Sequence, residues 1–311
     1  MTRTIAEAPS DLGLSEPAWP PPPLDRGGGA HDTAGRSGPR VGRRHRVAVV
    51  VSVVLAVVLV VGGGTLVYEW NHSGPHELSE SIALHRYRSG ATSIVVDPGA
   101  LHPLPGVYSY AGSGSEHLTV PPKSQTEGPR FPGTVSYRAN GCWTFRVDFS
   151  DSHWQSTTYC PRHGNLVEVG RGGWYRWNFL ALSIADTATF TCEEMAVPAE
   201  LLAGEHFAFA CGGTNSPIKT GTVTMTGTNE FVGLQTLRIA DTSVLTLHFH
   251  EVARFGGGQS GTNVADTWFS TANGLPVRGT WSTTVHSPSP VGTSTLTGQA
   301  SFTLSSLTPK S

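Results

Sequence analysis

His248 and His250 form the sharpest spacing in this chain that could do chemistry. An HxH pair on a β-strand turns both imidazoles to one face and can offer two nitrogens to a metal ion. His206, Glu251 and His286 could supply a third ligand, but no spacing ties any of them to the pair. The same pattern describes a polar, Thr-lined outer strand face, and on that reading no metal is assigned. Ser216-Pro217-Ile218-Lys219 matches SxxK, and Lys219-Thr220-Gly221 matches KTG. In penicillin-binding enzymes those elements are separate, one on a helix and one on a distant strand. Here they share a single Lys and no SDN follows, so the match is coincidental. Glu193-Glu194 could suggest paired carboxylates for glycoside chemistry. Adjacent strand residues point to opposite faces, however, which makes them solvated loop charges.

No GxSxG elbow, HExxH, P-loop or strand-to-helix GxGxxG is present. The expectation is a domain without catalytic activity and without a cofactor. The remaining chemistry is apolar. Trp174, Tyr175, Trp177 and Phe179 crowd one segment and could line a lipid or carbohydrate site, or serve as core and cross-strand pairs.

These residues are positioned by strands. From residue 93 onward the hydrophobic period is two. Residues 93–96 read as a strand stopped by Asp97-Pro98-Gly99, a turn signal. Residues 106–111 and 115–120 read as a hairpin around Gly112–Gly114, and 121–132 as a loop. Asn140-Gly141 joins the strands 133–138 and 142–149, and 153–160 pairs back. Strands are also expected over 165–169 and 173–185. The last third is a meander over 220–228, 231–239, 244–253, 262–270, 275–285 and 295–304. Val223 and Met225 oppose a row of Thr; Leu245, Leu247 and Phe249 oppose Thr246, His248 and His250. Such a meander twists and curls, so the fold class is mainly β, an antiparallel meander forming an open half-barrel. Its apolar concave face must be covered by another element or by a ligand. Trp174, Trp177, Phe179, Leu245, Leu247, Phe249, Trp268 and Trp281 are the candidate ligand-contacting residues.

Ahead of the β region, residues 47–68 (VAVVVSVVLAVVLVVGGGTLVY) carry no charge over 22 residues. That length crosses a bilayer as a helix, at about 1.5 Å per residue against a core of about 30 Å. Arg36, Arg40, Arg43, Arg44 and Arg46 precede it and no Lys or Arg occurs in 69–83, so the N-terminus is expected inside and the β domain outside the plasma membrane. Tyr68 and Trp70 suit the outer interface. A cleaved signal peptide is the rival, disfavoured by the 46 residues in front of the apolar run. Residues 1–46, with a Pro20–Pro23 run and scattered Arg, are expected to be a disordered cytoplasmic tail. Residues 69–92 form a linker with a short helix starting near Pro75, on which Leu78, Ile82 and His85 share a face. Pro198–Ala203 is a second, shorter helix signal.

Composition agrees with an exported domain spanning 93–311. Only 14% of residues are charged, the net charge is −2 and no basic stripe follows the apolar run, which argues against nucleic acid. Cys142, Cys160, Cys192 and Cys211 all lie beyond the apolar run. No CxxC spacing suggests zinc, and an even count outside the cytoplasm reads as disulfides. Three pairings are open. Cys142–Cys160 and Cys192–Cys211 are favoured because each closes a loop of only 17 or 18 intervening residues.

Thr267-Trp268 followed by Asn273-Gly274-Leu275-Pro276-Val277-Arg278 resembles a hairpin of the lipoprotein-carrier-like superfamily. Gly106-Val107-Tyr108-Ser109-Tyr110, Gly141-Cys142-Trp143 and Ser305-Ser306-Leu307-Thr308-Pro309 resemble uncharacterised single-pass actinobacterial envelope proteins. The carrier resemblance implies an unclosed half-barrel that shelters acyl chains under helices. This chain lacks helices long enough for that, so the first half of the domain is expected to cover the second. Two functions follow: binding of a lipid or other hydrophobic ligand, or a non-catalytic module that partners another envelope protein.

Overall fold

The computed structural model describes residues 74–90, 101–162, 165–179, 182–193, 201–216, 221–289 and 292–311. The tail 1–46, the apolar run 47–68, residues 69–73 and 91–92 of the linker, the strand expected over 93–96 and residues 198–200 lie outside the described residues; 201–203, the rest of the second helix signal, are not helical. Among the described residues no helix is long and apolar enough to cross a membrane.

Among the described residues one helix, α1 (Glu80–Gly90), precedes thirteen strands. They are β1 (Gly106–Thr119), β2 (Pro122–Glu127), β3 (Arg130–Tyr137), β4 (Trp143–Ser150), β5 (His153–Arg162), β6 (Asn165–Phe179) and β7 (Leu182–Cys192). β8 (Glu205–Ser216), β9 (Thr222–Ile239), β10 (Thr242–Gly257), β11 (Ser260–Ser270), β12 (Pro276–Ser289) and β13 (Gly292–Leu304) complete the set. All pairings are antiparallel and join chain neighbours, except β1 with β3 and the closure. At the closure β1 pairs with β13, from Tyr110↔Leu304 to Leu118↔Leu296. The expected open half-barrel is therefore a closed ring. Closure hydrogen-bonds both outer edges of the meander, which would otherwise present unpaired backbone.

The first half of the domain does not cover the second; it continues the same sheet. Residues 121–132 are strand and not loop. β2 and β3 both pair with β1 in one register, Gly114↔Glu127 running on to Ala111↔Arg130, so they act as a single partner interrupted at Gly128-Pro129. β1 is likewise one strand and not a hairpin. Gly112 is not a turn residue: a Cβ there would lie 2.2 Å from the Ser301 carbonyl oxygen and 2.6 Å from the Phe131 ring. Glycine at this point lets an aromatic ring and the neighbouring strand approach the backbone. The segments 220–228 and 231–239 are also one strand, β9, opposite which the β10 register slips between His248 and Phe249.

The core follows the two-residue period. Tyr110 meets Phe145 and Phe302 edge-on, with ring centroids 5.7 and 5.4 Å apart. Phe131 and Phe149 pack at 5.1 Å, and Trp143 and Tyr159 at 4.8 Å. A second buried cluster on β7–β10 holds Phe190, Val223, Met225 and Ala253 around Cys192 and Cys211. Val223 and Met225 are buried opposite their Thr neighbours, as the alternation requires. Both cysteine pairs are within disulfide distance, Cys142 with Cys160 and Cys192 with Cys211.

α1 lies against β1 and β3. Its contact face differs from the expected one. Ser79 caps the helix, its hydroxyl accepting from the Ile82 N–H, so Leu78 precedes the first turn. Leu78 and Ala83 are buried with Leu84 and Tyr87 against Val107, while Ile82 is 48% exposed. Lys310 and Glu80 form an ion pair that ties the chain end to this helix.

Candidate functional site

The inner faces of the strands line a cavity of about 880 Å³. Its apolar wall comes from strands far apart in sequence: Phe145 and Phe149 on β4, Phe190 on β7, Phe249 on β10, Trp281 on β12 and Phe302 on β13. The residues face inward because each strand alternates, and ring closure turns every inner face toward one lumen.

Among the eight residues proposed as ligand contacts, Leu247, Phe249 and Trp281 line this cavity. Trp177 and Phe179 are buried but lie outside its lining. Trp174 also lies outside it and carries the Arg176 guanidinium at 5.4 Å. Leu245 departs from expectation: it is 46% exposed, whereas Val244 and Thr246 are buried. The Thr246 hydroxyl donates to the Gln235 carbonyl at 2.6 Å. Trp268 is buried between His248, stacked at 4.1 Å, and Arg278, at 4.7 Å from its ring. Its indole N–H donates to Gln235 Oε1 at 2.6 Å.

The HxH pair meets a carboxylate across the β10–β11 ladder. His248 Nε2 lies 2.8 Å and His250 Nδ1 3.1 Å from the same Asp266 oxygen. Both imidazoles therefore have a partner on the neighbouring strand. Lys219 and Glu194 lie outside the described residues, and with them the SxxK and paired-Glu patterns.

The cavity also contains charge that the linear sequence did not signal. Arg171 bridges Glu168 and Glu251, with Nη1 donating to Glu251 Oε1 at 2.7 Å and Nη2 to Glu168 Oε2 at 2.9 Å. Asn263 Nδ2 donates to Glu251 Oε1 at 3.2 Å. Glu168 and Arg171 are three apart and would point to opposite faces of a regular strand. A bulge at Val169, where Thr158↔Gly170 is followed by Tyr159↔Glu168, turns both inward. Burial pushes the Glu168 carboxyl up, opposed by Arg171. Asp186, also on the wall, is raised by burial to about 6, and its Oδ1 has no hydrogen-bond partner among the described residues. The lumen is thus an apolar chamber with an acidic, hydrogen-bonding side.

Behind that wall sits a second buried group. His153 lies face to face between Phe149, at 4.7 Å, and Tyr175, at 4.1 Å. Its Nδ1 is 2.6 Å from Glu127 Oε1 and 3.0 Å from Glu116 Oε1. Burial alone would lower this imidazole, but the two carboxylates raise it to about 10. Burial raises Glu127, opposed by His153. Gln125 Nε2 donates to Glu116 Oε2.

No family model matches this chain, and no curated protein matches it. Among solved structures it is similar to the crystal structure of the hypothetical lipoprotein YmcC from Escherichia coli, at 14% identity and a TM-score of 0.29. That match covers 66% of this chain and 85% of the other. At such a TM-score the likeness establishes neither a shared fold nor a shared activity.

Proposed function

We propose that this protein binds an amphiphilic hydrophobic ligand, such as a lipid, inside its β-ring, without catalysing a reaction on it. One observation supports the reading: a cavity of about 880 Å³ inside the ring with an aromatic wall. Small-ligand sites commonly fall between about 300 and 1,000 Å³ and combine apolar lining with a few polar groups. An interaction module would instead pack its interior and expose an apolar patch. The Arg171, Glu168, Glu251 and Asp186 side would hold the ligand's polar end, and Phe149, Phe249, Trp281 and Phe302 its apolar body. We further propose that residues 47–68 anchor the chain in the plasma membrane with the β domain outside. The chamber would then lie close to a supply of lipid.

The test is native mass spectrometry of the full chain purified from its own cell envelope, followed by solvent extraction. A reproducible extra mass that extracts as a lipid is the expected result. A clean apo mass, under conditions that keep lipid on a known binder, would overturn the reading and favour a protein-partnering module.

A further inference from the structure

We propose that Glu116, Glu127 and His153 form a binding site for one divalent transition-metal ion of the zinc class, separate from the lumenal ligand. Glu116 lies on β1, Glu127 on β2 and His153 on β5. The three side chains are fully buried, and one ligand atom from each lies within 4.8 Å of the other two.

Charge is the first argument. Two carboxylates converge on one imidazole where no side chain reaches solvent, and both make their ion pair with His153. Even an imidazolium balances only one of them, and an uncompensated buried charge is costly. A divalent cation with a neutral imidazole balances both.

Unsatisfied oxygens are the second argument. Among the described residues, Glu127 Oε2 is buried without a hydrogen-bond partner, and Glu116 Oε1 has no partner beyond the imidazole that Glu127 Oε1 also claims. Buried polar atoms are nearly always satisfied, and an exception can mark an ion. Both belong to this cluster, and Glu116 Oε1 faces His153 Nδ1 at 3.0 Å.

Geometry and support are the third. Metal–ligand bonds of about 2.0–2.1 Å at tetrahedral angles place ligand atoms about 3.3 Å apart. The observed 3.0 and 2.6 Å need only a small opening. Gln125 already holds the outer oxygen of Glu116. On the far edge of the ring, the Gln155 amide lies 3.2 Å from His153 Nε2 and 3.1 Å from the Tyr175 hydroxyl. Amide nitrogen and oxygen are interchangeable by a flip. With Oε1 turned inward, Gln155 accepts from both His153 Nε2–H and Tyr175 O–H. That leaves Nδ1 free to ligate, the arrangement by which metal-bound histidines are commonly oriented. Mixed nitrogen and oxygen donors without thiolate suit a first-row divalent ion better than calcium or magnesium.

The test uses the untagged full chain in detergent, stripped with chelator, equilibrated with Zn²⁺ and desalted before elemental analysis. One zinc per chain is expected, and the Glu116→Gln/Glu127→Gln double variant should retain one fewer. A folded wild-type chain that stays zinc-free, or a double variant that keeps its zinc, would overturn the proposal. If the double variant does not fold, Co²⁺ bound to the stripped wild type decides. A visible spectrum of low-coordinate cobalt supports the site, and one indistinguishable from aqueous cobalt overturns it. Both readouts are independent of whether the lumen holds a lipid.

Discussion

Tyr110, on the first strand, lies directly opposite Leu304, on the last. This pairing makes a ring out of a meander, and it is reinforced from inside. The Tyr110 hydroxyl donates to the Pro276 carbonyl at 2.7 Å, and the Tyr110 ring meets Phe302 edge-on. Phe302 also touches Phe145 and Phe149, so one side chain links β13 to β1 and β4.

Phe302→Ala should therefore cost about 3 kcal/mol, at the lower end of large-to-small aromatic changes because the residue borders an existing cavity. Its neighbour Ser301 is exposed, and Ser301→Ala should change stability by less than about 0.5 kcal/mol. Denaturant midpoints of the two variants check the contrast. Equal effects would mean that the closure does not depend on the inner face.

Arg171 is the cation that Glu168 and Glu251 share. Arg171→Met would leave two mostly buried carboxylates facing each other and should cost about 3 kcal/mol near neutral pH. The loss should shrink in acid, where a carboxylate there takes up a proton. Adding Glu251→Gln should restore part of the stability. Thermal unfolding across pH tests both statements, and a pH-independent loss would argue against the charge mechanism.

Asp186 has its folded pKa raised by burial to about 6 from an ordinary 3.8. The folded state then holds the proton more tightly than the unfolded chain. Its contribution favours folding below about pH 4, declines as pH rises toward 6 and is flat above. Asp186→Asn should accordingly stabilise the protein at pH 7 by about 1 kcal/mol, after discounting for partial exposure. At pH 4 it should have almost no effect. Paired urea titrations at the two pH values measure the difference.

Ala188 is a small residue on the cavity wall. Ala188→Phe should fill part of the chamber and lower retention of a bound lipid severalfold while the chain remains folded. Lipid recovered per folded protein, measured by extraction, reports the outcome. Unchanged recovery would place the ligand elsewhere.

Much of the β architecture is legible locally. The period of two places Val223 and Met225 on a buried face, and Asn140-Gly141 and Asn273-Gly274 mark turns. Cys142–Cys160 and Cys192–Cys211 follow from short loops, since Trp143↔Tyr159 and Cys192↔Cys211 are cross-strand neighbours. These features depend on residues close together in the chain. What tertiary structure alone decided depends on distant ones. Gly112 resembles a turn residue until Phe131 and Ser301 are found against it. Glu168 and Arg171 share a face only because the β5–β6 ladder contains a bulge. Glu116, Glu127 and His153 carry no spacing motif; strand pairing and the interior bring them together. The ring itself rests on β1 meeting β13 across nearly the whole β region. Local alternation specifies which face of a strand is apolar. It contains no information on which distant strand will satisfy an edge, and that pairing made a chamber of the inner faces.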